Sequence, residues 1–261
     1  MRPVDEQTIL ITGSSDGLGK RVAGALAERG ARVLVHGRDR TKTESAAREV
    51  SADRAVVADL GSLQAVRGLA AEIDELDALV CNAGVYVMER TESADGFELT
   101  FAVNYLSHFL LTELLVEELR EPGRIVNVAS IGQRPVDFDD LMLERRYDGY
   151  AAYAQSKLAQ VLYTFELAER LGSSPTVNAL HPATLMDTKM VRESSGRVLS
   201  DVEEGMEAVL HLVCDPELDG VTGRYFDGTS EASPHEQAYD GGARRRLWEL
   251  SEELTGSRFA V

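Results

Sequence analysis

Tyr153 and Lys157 stand four residues apart in Tyr153-Ala154-Gln155-Ser156-Lys157, with Ser130 upstream and a glycine-rich turn at the front of the chain. Residues at i and i+4 share one face of a helix, so the phenol and the ammonium can serve a single site. A free phenol titrates near about 10, and a neighbouring cation favours its ionised form. The pair can therefore give or take a proton near neutral pH, with the Ser130 hydroxyl holding a substrate oxygen. Tyr-x-x-x-Lys by itself is weak evidence, because a buried Tyr beside a surface Lys has the same spacing. The order along the chain carries the weight: a front end able to hold a dinucleotide, then a group able to move a proton.

The front end is Thr12-Gly13-Ser14-Ser15-Asp16-Gly17-Leu18-Gly19, between an apolar run and a helical one. Gly13 allows a tight turn, Gly17 lets backbone approach a phosphate, and Gly19 lets the helix pack closely on the sheet. The helix N-terminus then offers free N–H groups and a positive dipole end to a pyrophosphate. The spacing is Gly-x-x-x-Gly-x-Gly and not Gly-x-Gly-x-x-Gly. The second strand ends in His36-Gly37-Arg38-Asp39. A guanidinium there can pair with a 2′-phosphate, which favours NADP(H) over NAD(H); Asp39 competes for the charge. Asp59 ends the third strand, either facing an adenine amino group or serving as a helix-capping acid before Ser62. Asn82-Ala83-Gly84 ends the fourth, where Gly84 suggests close backbone approach and the Asn could be a turn residue.

These residues need elements to position them. Short β-branched runs predict strands at Thr8–Thr12, Arg32–His36, Ala55–Ala58, Asp77–Cys81, Arg124–Ala129, Thr176–Leu180 and near 222–226. Helical spacing predicts helices over 17–29, 40–50, 62–73, 96–119, 150–171, 201–213 and 240–254. The strands are apolar on both faces and alternate with helices. That pattern predicts one Rossmann-type α/β domain: a doubly wound parallel sheet of about seven strands, with helices on both faces. The domain is expected to span 1–261, with its core over 8–228, a substrate loop near 185–200 and a C-terminal helical segment over 229–261. The 131–149 and 183–200 stretches lack periodicity and follow strand ends, where ligands bind in such folds.

The 261 residues suffice for one large domain, and the formal charge of −17 argues against nucleic-acid binding. Cys81 and Cys214 read as buried thiols of a reducing compartment. No metal-ligand pattern stands out. The first residues carry no apolar leader and no run approaches the length of a membrane span, so a cytoplasmic protein without a membrane partner is expected.

With these motifs in place, the chain resembles the short-chain dehydrogenase/reductase family in its single-domain form, over roughly residues 8–228. The glycine motif matches Gly13, Gly17 and Gly19; Asn-Ala-Gly matches Asn82-Ala83-Gly84, with Cys81 where an Asn is usual. The active-site Asn, Ser, Tyr and Lys match Asn104, Ser130, Tyr153 and Lys157. The runs Val103–Thr112 and Tyr153–Ala159, the Phe138-Asp139-Asp140-Leu141 stretch and Gly37-Arg38 are similar to the retinol-dehydrogenase-like and WW-domain-oxidoreductase-like subgroup, whose members mostly use NADP(H). The resemblance implies that Lys157 also holds the nicotinamide ribose and that Asn104 props a water-linked proton relay. It implies cofactor contacts at Gly13, Ser15, Asp16, Gly17, Leu18, Arg38, Asp59, Leu60, Asn82, Ala83, Gly84, Tyr153, Lys157, Pro182, Thr184 and Thr188. The family's Pro-Gly-x-Val-x-Thr reads here Pro182-Ala183-Thr184-Leu185-Met186-Asp187-Thr188, with Thr188 assigned to the carboxamide and Thr184 its rival. His181 reads as a packed strand-end residue.

The expected activity is an NADP(H)-dependent oxidoreductase interconverting a secondary alcohol and a carbonyl, with a small-molecule substrate. The alternatives are a silent dinucleotide-binding protein, or a lyase or epimerase on the same fold. Met186, Met190 and Val191 among Arg192, Glu193 and Arg197 suggest a partly apolar pocket under a movable lid. Leu111, Leu114 and Leu115 on one long helix and Leu158, Val161, Leu162 and Phe165 on the other would leave an apolar patch on a monomer. Family members pair these helices with a partner's copies, which implies a homodimer or homotetramer.

Overall fold

Eight strands form one sheet in the order β3-β2-β1-β4-β5-β6-β7-β8 in a computed structural model that describes residues 2–188, 191, 192 and 196–259. The strands are β1 (Thr8–Ile11), β2 (Arg32–Gly37), β3 (Arg54–Val57), β4 (Leu76–Cys81), β5 (Leu119–Val128), β6 (Thr176–His181), β7 (Arg224–Asp227) and β8 (Ser230–Ala232). The first seven pair in parallel. β8, not anticipated from the sequence, turns back through Gly228-Thr229 and pairs antiparallel with β7. The four-residue strand β1 and the central strands β4 and β6 are buried along their whole length, as helices on both faces require. β5 begins earlier than expected: Leu119 already pairs with Leu76, and the ladder resumes at Arg124 beyond an interruption that contains Pro122.

One face carries α1 (Gly17–Glu28), α2 (Arg40–Glu49) and α6 (Val202–Cys214); the other carries α3 (Leu63–Ala70), α4 (Leu99–Phe101 continuing through Ala102–Leu106 to Ser107–Leu115), α5 (Gly149–Leu171) and α7 (Gly241–Thr255). Each main helix starts from a polar cap of its own, α4 included, where Glu98 accepts the Thr100 and Phe101 N–H groups. Asp16, Asp39, Ser62, Asp148, Asp201 and Asp240 accept first-turn N–H groups of α1, α2, α3, α5, α6 and α7. Helix α4 is not regular. It opens at Leu99–Phe101, passes through a π-helical turn at Ala102–Leu106 and continues as Ser107–Leu115. The Leu99–Glu118 stretch has the length and apolar composition of a membrane span, contrary to the sequence expectation, yet 83% of that window is buried inside the domain. It is a core helix.

The expected apolar patch is covered by the chain itself. Leu111, Leu115, Leu158, Val161, Leu162 and Phe165 are all buried, and Leu114 is partly buried. Helix α7 packs against α5 and brings Trp248 to 5.3 Å from the Phe109 ring and 5.9 Å from Tyr163; Phe259 lies 4.8 Å from Trp248. Tyr105 Oη meets Ser251 Oγ at 2.7 Å, and Arg170 sits 4.0 Å over Trp248. The C-terminal segment thus packs on the Phe109 and Tyr163 rings of the two helices on which a dimer was expected.

Between β1 and β4 the order of the strands reverses. This is the crevice where open α/β sheets take ligands, outside the carboxyl ends of the strands. Gly13, Asn82–Gly84, Ser130 and Pro182 follow the ends of β1, β4, β5 and β6, so the topology delivers all of them to that one edge.

Candidate active site

The glycine turn is built from behind. A Cβ on Gly13 would lie 2.7 Å from the Ala83 Cα, and one on Gly19 would lie 2.5 Å from Asn82 Nδ2. Gly13 and Gly17 also have left-handed backbones, at φ 64° and 51°, which a side chain disfavours. Asn82 Nδ2 donates to the Thr12 carbonyl at 2.8 Å, and the Asn82 and Ala83 N–H groups both donate to Thr12 Oγ1 at 2.9 Å. The Asn82 side chain is thereby committed to holding the turn. The open side is different: among the described residues a Cβ on Gly17 would meet only Thr188, at 3.6 Å. Asp16 caps α1 by accepting the Gly17 N–H at 2.8 Å, which leaves the Leu18 and Gly19 amides of the first turn without an intrahelical acceptor. Its carboxylate is held below the usual range, mainly by Lys42 at 2.6 Å. A turn closed behind, open in front and ending at a helix N-terminus fits a dinucleotide pyrophosphate.

Two buried histidines brace this turn, and the sequence reading assigned neither a role. His36 Nδ1 accepts the Gly13 N–H at 3.1 Å, and Nε2 faces the Ala58 carbonyl at 3.2 Å. A carbonyl only accepts, so the proton is on Nε2. His108 Nδ1 faces the Asn104 carbonyl at 3.0 Å, which places its proton on Nδ1. Nε2 must then accept, and the Thr12 hydroxyl 2.9 Å away donates to it. Thr12 thus takes two backbone N–H groups and gives its own proton to His108. Burial pushes both imidazoles down to about 4.

Those depressed values tie stability to pH. Between about 6.5 and 4 the unfolded chain binds protons at these positions and the folded chain does not, so stability is lost as pH falls through that window. From pH 7 to pH 5 each histidine should cost about 2 kcal/mol, with His181, also lowered mainly by burial, adding in the same direction. Urea unfolding at both pH values checks this. A free energy of unfolding that is flat down to pH 5 would contradict it.

The proton-moving group lies beside the turn. Tyr153 is half-buried on α5; burial raises its phenol and a hydrogen bond with the Ser130 side chain pulls the other way. Ser130 itself is fixed through its carbonyl, which accepts from Gln133 Nε2 at 2.7 Å and Tyr225 Oη at 3.0 Å. Lys157 is buried, and its Nζ lies 5.7 Å from the Tyr153 ring centroid. Burial pushes this ammonium down to about 7. A Cβ on Gly84 would stand 3.4 Å from Asn104 Oδ1 and 3.7 Å from Lys157 Nζ, so the β4 end, α4 and α5 meet at this point.

Asn104 lies in the π-helical turn of α4 and is fully buried. Its Oδ1 accepts the Val85 N–H at 2.7 Å; Nδ2 donates to the Val85 carbonyl at 3.1 Å and to Ser156 Oγ at 2.9 Å. The side chain clamps the β4 loop to both helices.

The other expected contacts fall around the crevice. Arg38 is exposed beyond β2 and has no partner among the described residues, whereas Asp39 caps α2 through the Lys42 N–H at 2.8 Å. Gly37 has no room for a side chain: a Cβ would lie 2.5 Å from Thr43 Oγ1 and 2.8 Å from Ser15 Oγ. Asp59 is exposed and accepts the Gly61 N–H at 2.9 Å, while Leu60 is buried and Ser62, not Asp59, caps α3. Pro182 is buried after β6. Thr184 is turned back onto His181 Nε2 at 3.0 Å, which leaves Thr188 beside Gly17. The loop that holds Thr188 is closed at its base, where Leu199 N–H meets the Leu185 carbonyl and Asp187 N–H meets that of Ser200. Met190 and Glu193, expected in this loop, lie outside the described residues.

Five of the exposed large apolar side chains rim the same edge. Met88 follows β4, Ile131 and Tyr150 flank the β5–α5 connection, and Val198 and Leu199 follow β6; each is between 44% and 66% exposed. The first three adjoin one another. A Cβ on Gly149 would lie 3.1 Å from the Met88 Cα, and one on Gly132 would lie 3.5 Å from both Ser130 Oγ and Tyr150 Oη.

The profile of the short chain dehydrogenase family matches residues 7–198. Mouse retinol dehydrogenase 13 is 39% identical over 97% of this chain and 85% of its own length. A crystal structure of an uncharacterised Mycobacterium paratuberculosis protein superposes with a TM-score of 0.85 at 32% identity, covering 98% of this chain and 96% of the other. The active-site complex of Pseudomonas aeruginosa RhlG with NADP superposes with a TM-score of 0.70 at 25% identity, over 87% of this chain and 97% of the other.

Proposed function

The chain belongs to the short chain dehydrogenase family, and from that premise we propose that it is an NADP(H)-dependent oxidoreductase that interconverts an apolar alcohol and its carbonyl. The observation that carries this reading is Tyr153 between the Ser130 side chain, with which it hydrogen-bonds, and Lys157, whose Nζ lies 5.7 Å from its ring and beside Gly84, next to a glycine turn that fits a pyrophosphate. When bound, the nicotinamide supplies or accepts the hydride at the substrate carbon. In the reducing direction Tyr153 gives its phenolic proton to the carbonyl oxygen, and Ser130 donates a hydrogen bond to that oxygen as negative charge develops on it. Lys157 favours the phenolate left behind, and in the oxidising direction the same phenolate takes the alcohol proton.

The choice of NADP(H) rests on three features. Gly37 leaves no space for the acidic residue that would hold an unphosphorylated ribose. Arg38 is exposed and has no partner among the described residues, and Asp39, its competitor, is spent on capping α2. Losing a charge-assisted contact to phosphate costs about 1.5–3 kcal/mol. Arg38→Ala should therefore weaken NADPH binding about ten- to hundred-fold and leave NADH little changed. Fluorescence titration with both cofactors tests this; equal affinities of the unaltered protein for NADH and NADPH would count against it.

The apolar rim of Met88, Ile131, Tyr150, Val198 and Leu199 supports an apolar substrate. Aliphatic and aromatic aldehydes of rising chain length, offered with NADPH, should show kcat/KM increasing along the series. Equal efficiency with a small polar carbonyl would refute that assignment.

A further inference from the structure

Lys157 is a cation buried with little to balance it. It is 3% exposed, and among the described residues no carboxylate pairs with it. The groups facing it are neutral. On α4 they are Asn104 and His108, the latter with its Nδ1 proton already given to the Asn104 carbonyl. On β6 it is His181, kept neutral by burial and joined to Thr184. On α5 it is the Tyr153 phenol, and on the β4 loop it is Gly84. An ammonium has three N–H donors. One goes to the Val128 carbonyl at 2.7 Å and one to Gln160 Oε1 at 2.9 Å.

Gln160 has a second peculiarity. It is 1% exposed, and its Nε2 has no hydrogen-bond partner among the described residues. The orientation of the amide is not free, since only Oε1 can accept from an ammonium. Holding Lys157 therefore leaves a buried donor unpaired, which costs stability. An apolar side chain of similar size would pack there without that cost. A residue that serves packing alone would not carry this penalty.

We propose that Gln160 is a positioning residue for the reaction, holding the Lys157 ammonium charged and in place at the active site before the cofactor arrives. With Val128 it fixes two of the three N–H groups and leaves the third for the Tyr153 and cofactor side. The proposal rests on Lys157 acting on the phenol and the ribose, as argued above. Burial pulls this amine down to about 7, near neutral pH, so a change in what accepts from Nζ changes how much of it is charged there.

The chain has four lysines, Lys20, Lys42, Lys157 and Lys189. Lysine labelled with carbon-13 at Cε therefore gives few enough NMR signals to titrate each, and that of Lys157 is the one lost in Lys157→Ala. Gln160→Leu should move the Lys157 midpoint down by about one pH unit, and Gln160→Glu should move it up by at least about as much. The alkaline limb of the kcat profile should move with it in both variants. The melting temperature of Gln160→Leu should stay level or rise, because the orphaned amide is gone. An unmoved Lys157 midpoint in the Leu and Glu variants overturns the proposal. The titration needs no substrate, so failure of the unaltered protein to reduce any carbonyl would sink the enzymatic reading separately.

Discussion

With phenylalanine at position 153, turnover should fall by roughly 10²–10⁴-fold, the usual worth of a positioned general acid. NADPH affinity should stay within a few-fold. The reason is local: the ring still packs 5.5 Å from that of Tyr86, and the Ser156 hydroxyl still donates to the residue-153 carbonyl at 2.7 Å, because neither contact uses the phenol oxygen. What disappears is the proton donor and its hydrogen bond with Ser130. Steady-state kinetics with a responsive aldehyde, together with a cofactor titration, separates the two quantities. Turnover equal to that of the unaltered protein would remove Tyr153 from the chemistry. A large loss of NADPH affinity with little loss of kcat would make it a binding residue instead.

Lys157→Ala should fail in both respects. Turnover should drop by an amount comparable to the Tyr153 variant, since the phenolate loses its neighbouring cation. Cofactor affinity should also fall about tenfold or more, from loss of a charged contact to the ribose. Stability should move the other way. Burial pushes this ammonium down to about 7, which means that the folded state holds the charge at a cost. Removing it should hold or raise the melting temperature even though the Val128 carbonyl and Gln160 Oε1 each lose a donor. A variant with unchanged NADPH affinity would strip Lys157 of its ribose role, and one that is strongly destabilised would make it a structural residue.

Strand–turn–helix punctuation made much of this site legible in the sequence. Gly13, Gly17 and Gly19 fall between an apolar β-branched run and an amphipathic helix, and Ser130 follows a strand as Tyr153 and Lys157 follow a helix start. Such local patterns survive without tertiary information. What stayed hidden depends on contacts across the fold. His36 and His108 sit inside apolar runs, and only the Gly13 amide and the Asn104 carbonyl give them a purpose. The π-helical turn at Asn104 spans five residues, too few to disturb a helical period. Lys42 meets Asp16 across 26 residues of sequence, and no local pattern announces that pair. Strand β8 has three residues and owes its existence to β7. The apolar faces of α4 and α5 were visible, but what covers them was not: an amphipathic face looks the same whether a partner or the chain's own α7 packs on it.

The central claim is that a hydride passes between the nicotinamide and a substrate carbon in this crevice while Tyr153 handles the proton. The most direct measurement uses NADPH deuterated at C4 of the nicotinamide, each face labelled in turn, incubated with the protein and an apolar aldehyde. Mass spectrometry of the alcohol should find one deuterium on the carbinol carbon with one of the two labelled cofactors and none with the other. The same labelling should be absent with Tyr153→Phe over the same time. NADPH left unconsumed with every carbonyl offered, or an alcohol that carries no deuterium from either label, would contradict the account.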